Sequence, residues 1–299
     1  TAALHQFNNE RRQPRRLMWH HDLAWTTPRY RAELRDGYPW DLLRTSWQGV
    51  RQVVVSGSRQ SELAELMHLS AEAITVVPNG IEAAQLFKLE AQTTEMINAL
   101  PLDNAAPLLL LPVRLTPRKN IELALRVLVA LRHEFPRAVL VVTGPEGPHS
   151  PANADYKEML LRLRDSLELQ GAAHFLAEYT TEFLPDAVIA DFFRLADALL
   201  MPSREEGFGI PLIEAAITRL PVFCADIPPL RALGGADVSF FSPDADPTDV
   251  AALIASRLRS DLVYRFAARA KREYTWEGIY AASIAPLLEA ISLESATGV

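Results

Sequence analysis

From about residue 50 onward, short apolar runs alternate with segments whose apolar residues recur every three or four positions. The runs read as strands, and the recurring pattern as helices packed by one face. Residues 53–55 predict a strand, 58–69 a helix with Ser58 as its cap, and 74–77 a strand stopped by the turn signal Pro78-Asn79-Gly80. Residues 82–106 are mixed, polar and punctuated by proline, which suits a linker between domains. Beyond them the alternation is cleaner. Strands are expected at 108–111, 139–142, 174–176, 198–201, 222–224 and 238–241. Helices are expected at 120–132, 155–169, 186–195, 212–218, 247–258, 260–271 and 276–291. In the first of these helices Ile121, Ala124, Leu125, Leu128 and Leu131 share one face.

Strands that are apolar at nearly every position, alternating with helices, predict a parallel sheet covered on both sides. That is a Rossmann-like domain, whose ligands sit at the carboxyl ends of its strands. A length of 299 residues suits about two such domains. Apolar residues make up 49% and charged residues 22%, an ordinary globular balance. A net charge of −7 argues against a nucleic-acid partner. The one basic cluster, Arg11, Arg12, Arg15 and Arg16, reads as a solvated face, with peripheral contact to phosphate or anionic membrane lipid as the alternative. The only cysteine, Cys224, lies in an apolar run and reads as a small buried hydrophobe. It allows no internal disulfide, and no Cys/His zinc spacing exists, so a reducing, cytoplasmic location is expected. No run approaches the ~18 apolar residues of a membrane span. The longest, 188–201, is broken by Asp191, Arg194 and Asp197. The N-terminal residues lack the apolar core of a signal peptide.

The sharpest chemical signal is Glu206-Gly207-Phe208-Gly209-Ile210-Pro211-Leu212-Ile213-Glu214, directly after the expected strand at 198–201. Gly207 and Gly209 would let the backbone turn tightly and approach a ligand. Pro211 suits the first helical position. The N–H groups of Gly209, Ile210 and Leu212 would then face out at a helix N-terminus, an anion site fit for a diphosphate. Glu214 is expected in the first turn, placed to accept from a ribose diol, and Glu206 to accept from sugar hydroxyls. The bland alternative is a Gly-Pro turn with two solvated carboxylates.

Two glutamates separated by seven residues around Gly-Phe-Gly-Ile-Pro resemble the signature of retaining glycosyltransferase family 4, of the GT-B fold. The resemblance implies an α/β architecture of two Rossmann-like parallel-sheet domains facing a cleft. It assigns ribose binding to Glu214 and contact with the donor sugar to Glu206; Glu205 adjoins, but the spacing favours Glu206. The segment Arg114-Leu115-Thr116-Pro117-Arg118-Lys119-Asn120 resembles the family's Arg…Lys-Asn loop, which implies that Arg114 and Lys119 clamp the donor diphosphate, with Arg118 the weaker alternative. Two cations at a strand end would neutralise charge on the leaving nucleoside diphosphate. Val141-Val142-Thr143-Gly144-Pro145 is similar to the family's strand-to-glycine loop and adds Gly144 to the donor-binding set, with Gly207, Phe208, Gly209, Ile210 and Leu212. Pro78-Asn79-Gly80-Ile81-Glu82 is similar to the segment ending the first domain. Tyr274-Thr275-Trp276 is similar to the aromatic start of a C-terminal helix that crosses back to it. In Trp19-His20-His21-Asp22, His21 matches the family's cleft histidine and His20 is the runner-up. A neutral imidazole there would bond a sugar hydroxyl or support the transition state.

The resemblance covers roughly residues 17–295 and implies three parts: a partial acceptor-side domain with linker at 1–100, the nucleotide-sugar domain at 101–275, and the returning helix at 276–299. The beginning departs from the pattern. The first residue is Thr1, and no strand and Gly-rich loop precede His20. An incomplete first domain, short by on the order of a hundred residues, is therefore expected, with weak transfer or none. The main reading is a retaining hexosyltransferase that uses a nucleoside-diphosphate sugar as donor, with no metal and no separate cofactor. The alternative is a binding module that keeps the donor site and transfers nothing. An epimerase or phosphorylase lacks support, since no pyridoxal-phosphate lysine context is present. UDP-glucose and GDP-mannose both stay open as donors, and the acceptor is a saccharide, a lipid-linked sugar or a small molecule.

Overall fold

The structure is a computed structural model that describes residues 16–100, 102–145, 151–180 and 183–296. Arg11, Arg12 and Arg15 of the basic cluster lie outside the described residues. The chain divides into two compact units, residues 1–82 with 273–299, and residues 83–272.

The first unit holds a parallel sheet in the order β1 (Arg16–His20), β2 (Val50–Val54), β3 (Ile74–Val76). Helix α1 (Gly57–Met67) follows β2. Its cap is Ser56, not Ser58: the Ser56 hydroxyl accepts from the Arg59 N–H at 3.2 Å, satisfying one of the unpaired donors of the first turn. Leu63 and Met67 of α1 pack with Leu23, Val54 and Ile74 on one side of the sheet. On the other side Val53 and Val77 meet Ile279 and Leu287. Those two belong to the C-terminal helix, which follows residues 83–272 in sequence yet packs here. The junction explains two motifs at once. The Ile81 N–H donates to Tyr274 O at 2.8 Å, and the Trp276 ring lies so close to Gly80 that a Cβ there would stand 2.6 Å from Cδ2. Gly80 is therefore a packing glycine.

In the second unit α2 (Ala83–Phe87) and α3 (Ala91–Ala99) come first. The segment expected to be a linker is thus largely helical. Its apolar residues are few but well spaced: Met96, Ile97 and Leu100 enter the core. Its polar residues are engaged: Glu90 N–H and Thr93 Oγ1 donate to the fully buried Asp191 carboxylate at 2.8 and 2.6 Å, and Arg194 pairs with the same carboxylate.

The sheet of this unit contains β4 (Leu108–Leu111), β5 (Val139–Val142), β6 (Ala173–Phe175), β7 (Ala198–Met201), β8 (Val222–Ala225) and β9 (Ser239–Phe241). They lie in the order β6-β5-β4-β7-β8-β9, all neighbours parallel. Period-two alternation divides their side chains between two cores. Leu109, Leu111, Leu140, Val142 and Leu200 face α4 (Ile121–Arg132), α5 (Pro151–Ser166) and α9 (Pro247–Ser260). Leu108, Leu110, Val141, Leu199 and Met201 face α3, α6 (Asp186–Leu195), α7 (Ile210–Ile217) and α8 (Pro228–Gly234). Helix α10 (Leu262–Glu273) leads to the C-terminal stretch, where α11 (Trp276–Ile279) passes through a π-turn (Tyr280–Ile284) into α12 (Ala285–Ala296). Among the described residues no helix is long and apolar enough to cross a membrane.

Asp191 is the buried tie between α6 and the α2–α3 segment. Hydrogen bonds to a charged acceptor contribute about 1.5–3 kcal/mol each and are not additive. Asp191→Ala should therefore lower unfolding stability by about 3 kcal/mol, read as a fall in the urea midpoint. An unchanged midpoint would mean that α2 and α3 are held by apolar contacts alone.

Candidate donor-binding site

Renumbered within the second unit, its strands run 3-2-1-4-5-6. The chain leaves the sheet in opposite directions from β4 and β7, and that reversal opens a crevice beyond their carboxyl ends. The two loops that border it carry the residues singled out in the sequence.

The loop after β4 ends in a 3-10 turn, Pro117–Lys119, followed by Asn120 in the left-handed conformation at φ 54°. Asparagine tolerates that region better than most residues. The buried Asn120 amide donates to Pro202 O at 3.0 Å and to Pro243 O at 2.9 Å, tying this loop to those after β7 and β9. The Arg204 N–H donates to Arg118 O at 2.8 Å. Asn120 closes the Arg…Lys-Asn segment and is expected as the first residue of the helix; it instead precedes the helix and holds the loops together.

So held, Lys119 points at Glu206. Its ammonium donates to Glu206 Oε1 at 2.5 Å, and the two side chains are only 10% and 8% exposed. Ions this dry are costly unless paired, so each holds the other in place. Glu206 makes this contact while Glu205 stays exposed. Arg114 is exposed in the same loop, its guanidinium 5.3 Å from the centre of the Phe183 ring.

The glycines divide by role. A Cβ on Gly144 would lie 2.0 Å from Val113 O and 2.6 Å from Arg114 N. Its bareness lets the β5 loop lie against the β4 loop, where Leu115 N–H donates to Pro145 O at 3.1 Å. Gly209 takes φ 99°, and a Cβ there would meet Leu230 at 2.7 Å. Gly207 has neither constraint: nothing lies within 4 Å of where its Cβ would be. Space is open there beside the crevice loop.

Because Gly209 turns left-handed, α7 begins at Ile210, earlier than its composition indicated. Two expectations change as a result. Glu214 sits one turn into the helix, not in the first turn. Of the three N–H groups expected to face out, that of Leu212 is already engaged by Gly209 O at 2.9 Å, and the Leu212 side chain is buried. Phe208 and Ile210 are exposed. Glu214 is half-buried and makes no side-chain hydrogen bond among the described residues. Burial first, and the negative charge of Asp186 second, raise its carboxyl above the ordinary range.

The histidines belong to the first unit. His21 is exposed just beyond the carboxyl end of β1. His20 is the half-buried one: its Nε2 lies 2.7 Å from Gln52 Oε1, and burial lowers its pKa against that bond. Cys224 is buried in β8 and its thiol is pushed up to about 12, so it is unreactive near neutral pH. Among the described residues no group of three or more His, Cys, Asp or Glu is placed to hold a metal ion.

The sheet order defines a doubly wound α/β protein, with the paired ions at the switch point beyond the carboxyl ends of its strands. The glycosyl transferases group 1 profile matches residues 92–273, more than half of the chain, and the chain belongs to that family. The serotype-specific mannosyltransferase WbdA of Escherichia coli is 30% identical over 186 residues, 59% of this chain and 21% of that protein. The O-antigen chain mannosyltransferase B of Escherichia coli is 26% identical over 267 residues, covering 86% of this chain and 66% of the relative. The chain therefore spans about a fifth of the first relative and just under two thirds of the second. Among solved structures, an alpha,alpha-trehalose-phosphate synthase (UDP-forming) from Burkholderia vietnamiensis matches with a TM-score of 0.50 at 14% identity, over 74% of this chain and 56% of that one. This likeness extends to fold, the GT-B arrangement of parallel α/β sheets.

The glycine roles predict opposite outcomes for one substitution. Gly144→Ala forces backbone apart and should cost about 1–3 kcal/mol, seen as a lower melting temperature. Gly207→Ala, with free space and no positive φ, should melt like the parent. Equal melting of both would contradict the steric account.

Proposed function

We propose that this chain binds a nucleoside-diphosphate sugar in the crevice of its second unit. There it serves the transfer of a hexose to an acceptor hydroxyl with retention of anomeric configuration, as in glycosyltransferase family 4. The observation that carries the reading is the buried Lys119–Glu206 pair at the switch point, 2.5 Å apart. A diphosphate entering the crevice offers Lys119 a second anion, while Glu206 is left as an acceptor beside it for sugar hydroxyls. Arg114 on the same loop supplies a second cation for the phosphates, so the charge of the departing nucleoside diphosphate is met by groups already in place. Glu214, unpartnered in the helix that follows, accepts from the ribose diol. The backbone N–H groups of Gly209 and Ile210 add to the anion site. With two cations on the diphosphate, no metal is needed. His21 is proposed to bond a sugar hydroxyl, as the family resemblance implies. Two relatives named as mannosyltransferases put GDP-mannose first in a donor panel, ahead of UDP-glucose. A nucleotide donor and a single buried thiol fit a cytoplasmic location.

Calorimetric titration of GDP, UDP and their sugars, each in excess EDTA, tests this. Glu214→Ala should weaken the bare nucleoside diphosphate about tenfold or more, the loss of a hydrogen bond to a charged acceptor. Glu206→Ala should leave the bare nucleotide as tight as before, or tighter, because Lys119 is released to it. It should abolish the extra affinity brought by the sugar. Equal losses for bare nucleotide in both variants would contradict the roles, and a requirement for magnesium would contradict metal independence.

The raised carboxyl of Glu214 gives a pH signature. Its acceptor form is lost on acidification earlier than for an ordinary glutamate near about 4.3. Nucleotide affinity should fall as pH drops while most carboxylates are still ionised. Asp186→Asn removes the nearby negative charge, so it should lower the Glu214 pKa and move the fall to more acidic pH. A fall unmoved by Asp186→Asn would mean that another group governs it.

A further inference from the structure

The amino-terminal edge of the same sheet carries a second surface, unrelated to the donor loops. Helix α10 turns Tyr264 inward but leaves Leu262, Val263 and Phe266 exposed at 73%, 80% and 61%. At 100° per residue, Leu262, Phe266 and Arg269 share one line on the helix. Val263 and Ala270 flank it on one side, Arg265 and Arg272 on the other. The Arg269 guanidinium sits 5.2 Å from the centre of the Phe266 ring. Beside the helix runs a groove of about 650 Å³, whose walls include Phe135, Arg137, Arg265, Phe266, Arg269 and Arg272. Glu134, its one lining carboxylate among the described residues, is already paired with Arg259 at 2.6 Å. Four arginines thus converge on one edge of a chain whose net charge is −7.

A solvated helix face does not expose a leucine, a valine and a phenylalanine together, and a core face does not carry Arg265 and Arg269. The combination fits an interface that offers phosphate and hydrocarbon within a few ångströms of each other. We propose that α10 and its groove form a docking surface for an anionic phospholipid bilayer. Leu262, Val263 and Phe266 enter the acyl boundary, and the arginine stems lie along it with their heads at the phosphates. Nucleic acid would match the arginines but offers no acyl layer for the aliphatic tips. Ala106, before β4, and Arg137, before β5, place the surface at the amino ends of the strands. The donor loops leave the carboxyl ends, so docking here keeps the crevice open to nucleotide.

Co-sedimentation with vesicles decides it. The full chain should bind phosphatidylcholine vesicles containing about one third phosphatidylglycerol, more weakly as salt is raised toward about 0.5 M, and should ignore pure phosphatidylcholine. Each basic side chain near an anionic surface changes partitioning about fivefold, so Arg265→Glu with Arg269→Glu should lower it at least about tenfold. Leu262→Ser with Val263→Ser, at exposed positions, should weaken binding without changing the melting temperature, and serves if the charge reversal fails to fold. Nucleotide titrations should be the same for parent and variants. The proposal is overturned by no binding to anionic vesicles, by equal binding to neutral ones, or by binding that survives both variants. It is also overturned if light scattering shows a dimer that the variants dissolve, because the surface would then belong to a second copy of the chain.

Discussion

The second unit is organised around a pair of ions that would be unstable apart. Lys119 and Glu206 come from loops 87 residues apart in sequence and meet at 2.5 Å with almost no solvent. Removing either would leave an uncompensated buried charge, a cost on the order of 3–5 kcal/mol. The pair can form only if the ends of β4 and β7 are adjacent and their loops rigid. Adjacent ends follow from the sheet order, with Leu110 beside Leu199. Rigid loops follow from Asn120, which bonds two neighbouring loops through one amide. Buried ion pairs of this kind add little net stability over an apolar pair. Their value is positional: each charge fixes where the other sits.

The strands of the second unit are plain in the sequence, because strands buried on both faces are apolar at every position and short. β4, β5, β7 and β8 have no polar residue at all. What pattern missed is what depends on partners. β1 is half-exposed throughout and includes Arg16 and His20, so no alternation marks it. α3 looks like linker because its buried threonine is satisfied by Asp191, a hundred residues away. α8, for which the pattern predicts no helix, opens with Pro228 and Pro229 at the first helical positions, where no N–H is needed. The cap of α1 lies two residues before the expected one because both serines are chemically suitable and only backbone geometry chooses.

The candidate site was legible in composition and less so in role. The spaced glutamates and the Arg…Lys-Asn loop do lie at one end of one sheet. The glycines around them were read as ligand-facing, and two are scaffold: Gly144 lets two backbones touch, and Gly209 sets the start of α7. Only Gly207 leaves open space. A glycine in a motif marks a place where a Cβ would collide or a positive φ is needed, and sequence cannot say whether the neighbour is the protein or its ligand.

The two glutamates of the motif share a segment but not an environment. Glu206 faces a cation within hydrogen-bond reach, whereas Glu214 faces burial and the charge of Asp186. The first is a carboxylate held by its partner; the second is a carboxyl whose ionised form its surroundings disfavour. Burial and the charge of Asp186 both disfavour the ionised form of Glu214. A neutral hydroxyl donor would bond this carboxylate without adding to the repulsion from Asp186. A phosphate there would add to it. The electrostatics of the segment are therefore divided: the cations Lys119 and Arg114 lie on the β4 loop, and Glu214, one turn into α7, is set against anions by Asp186.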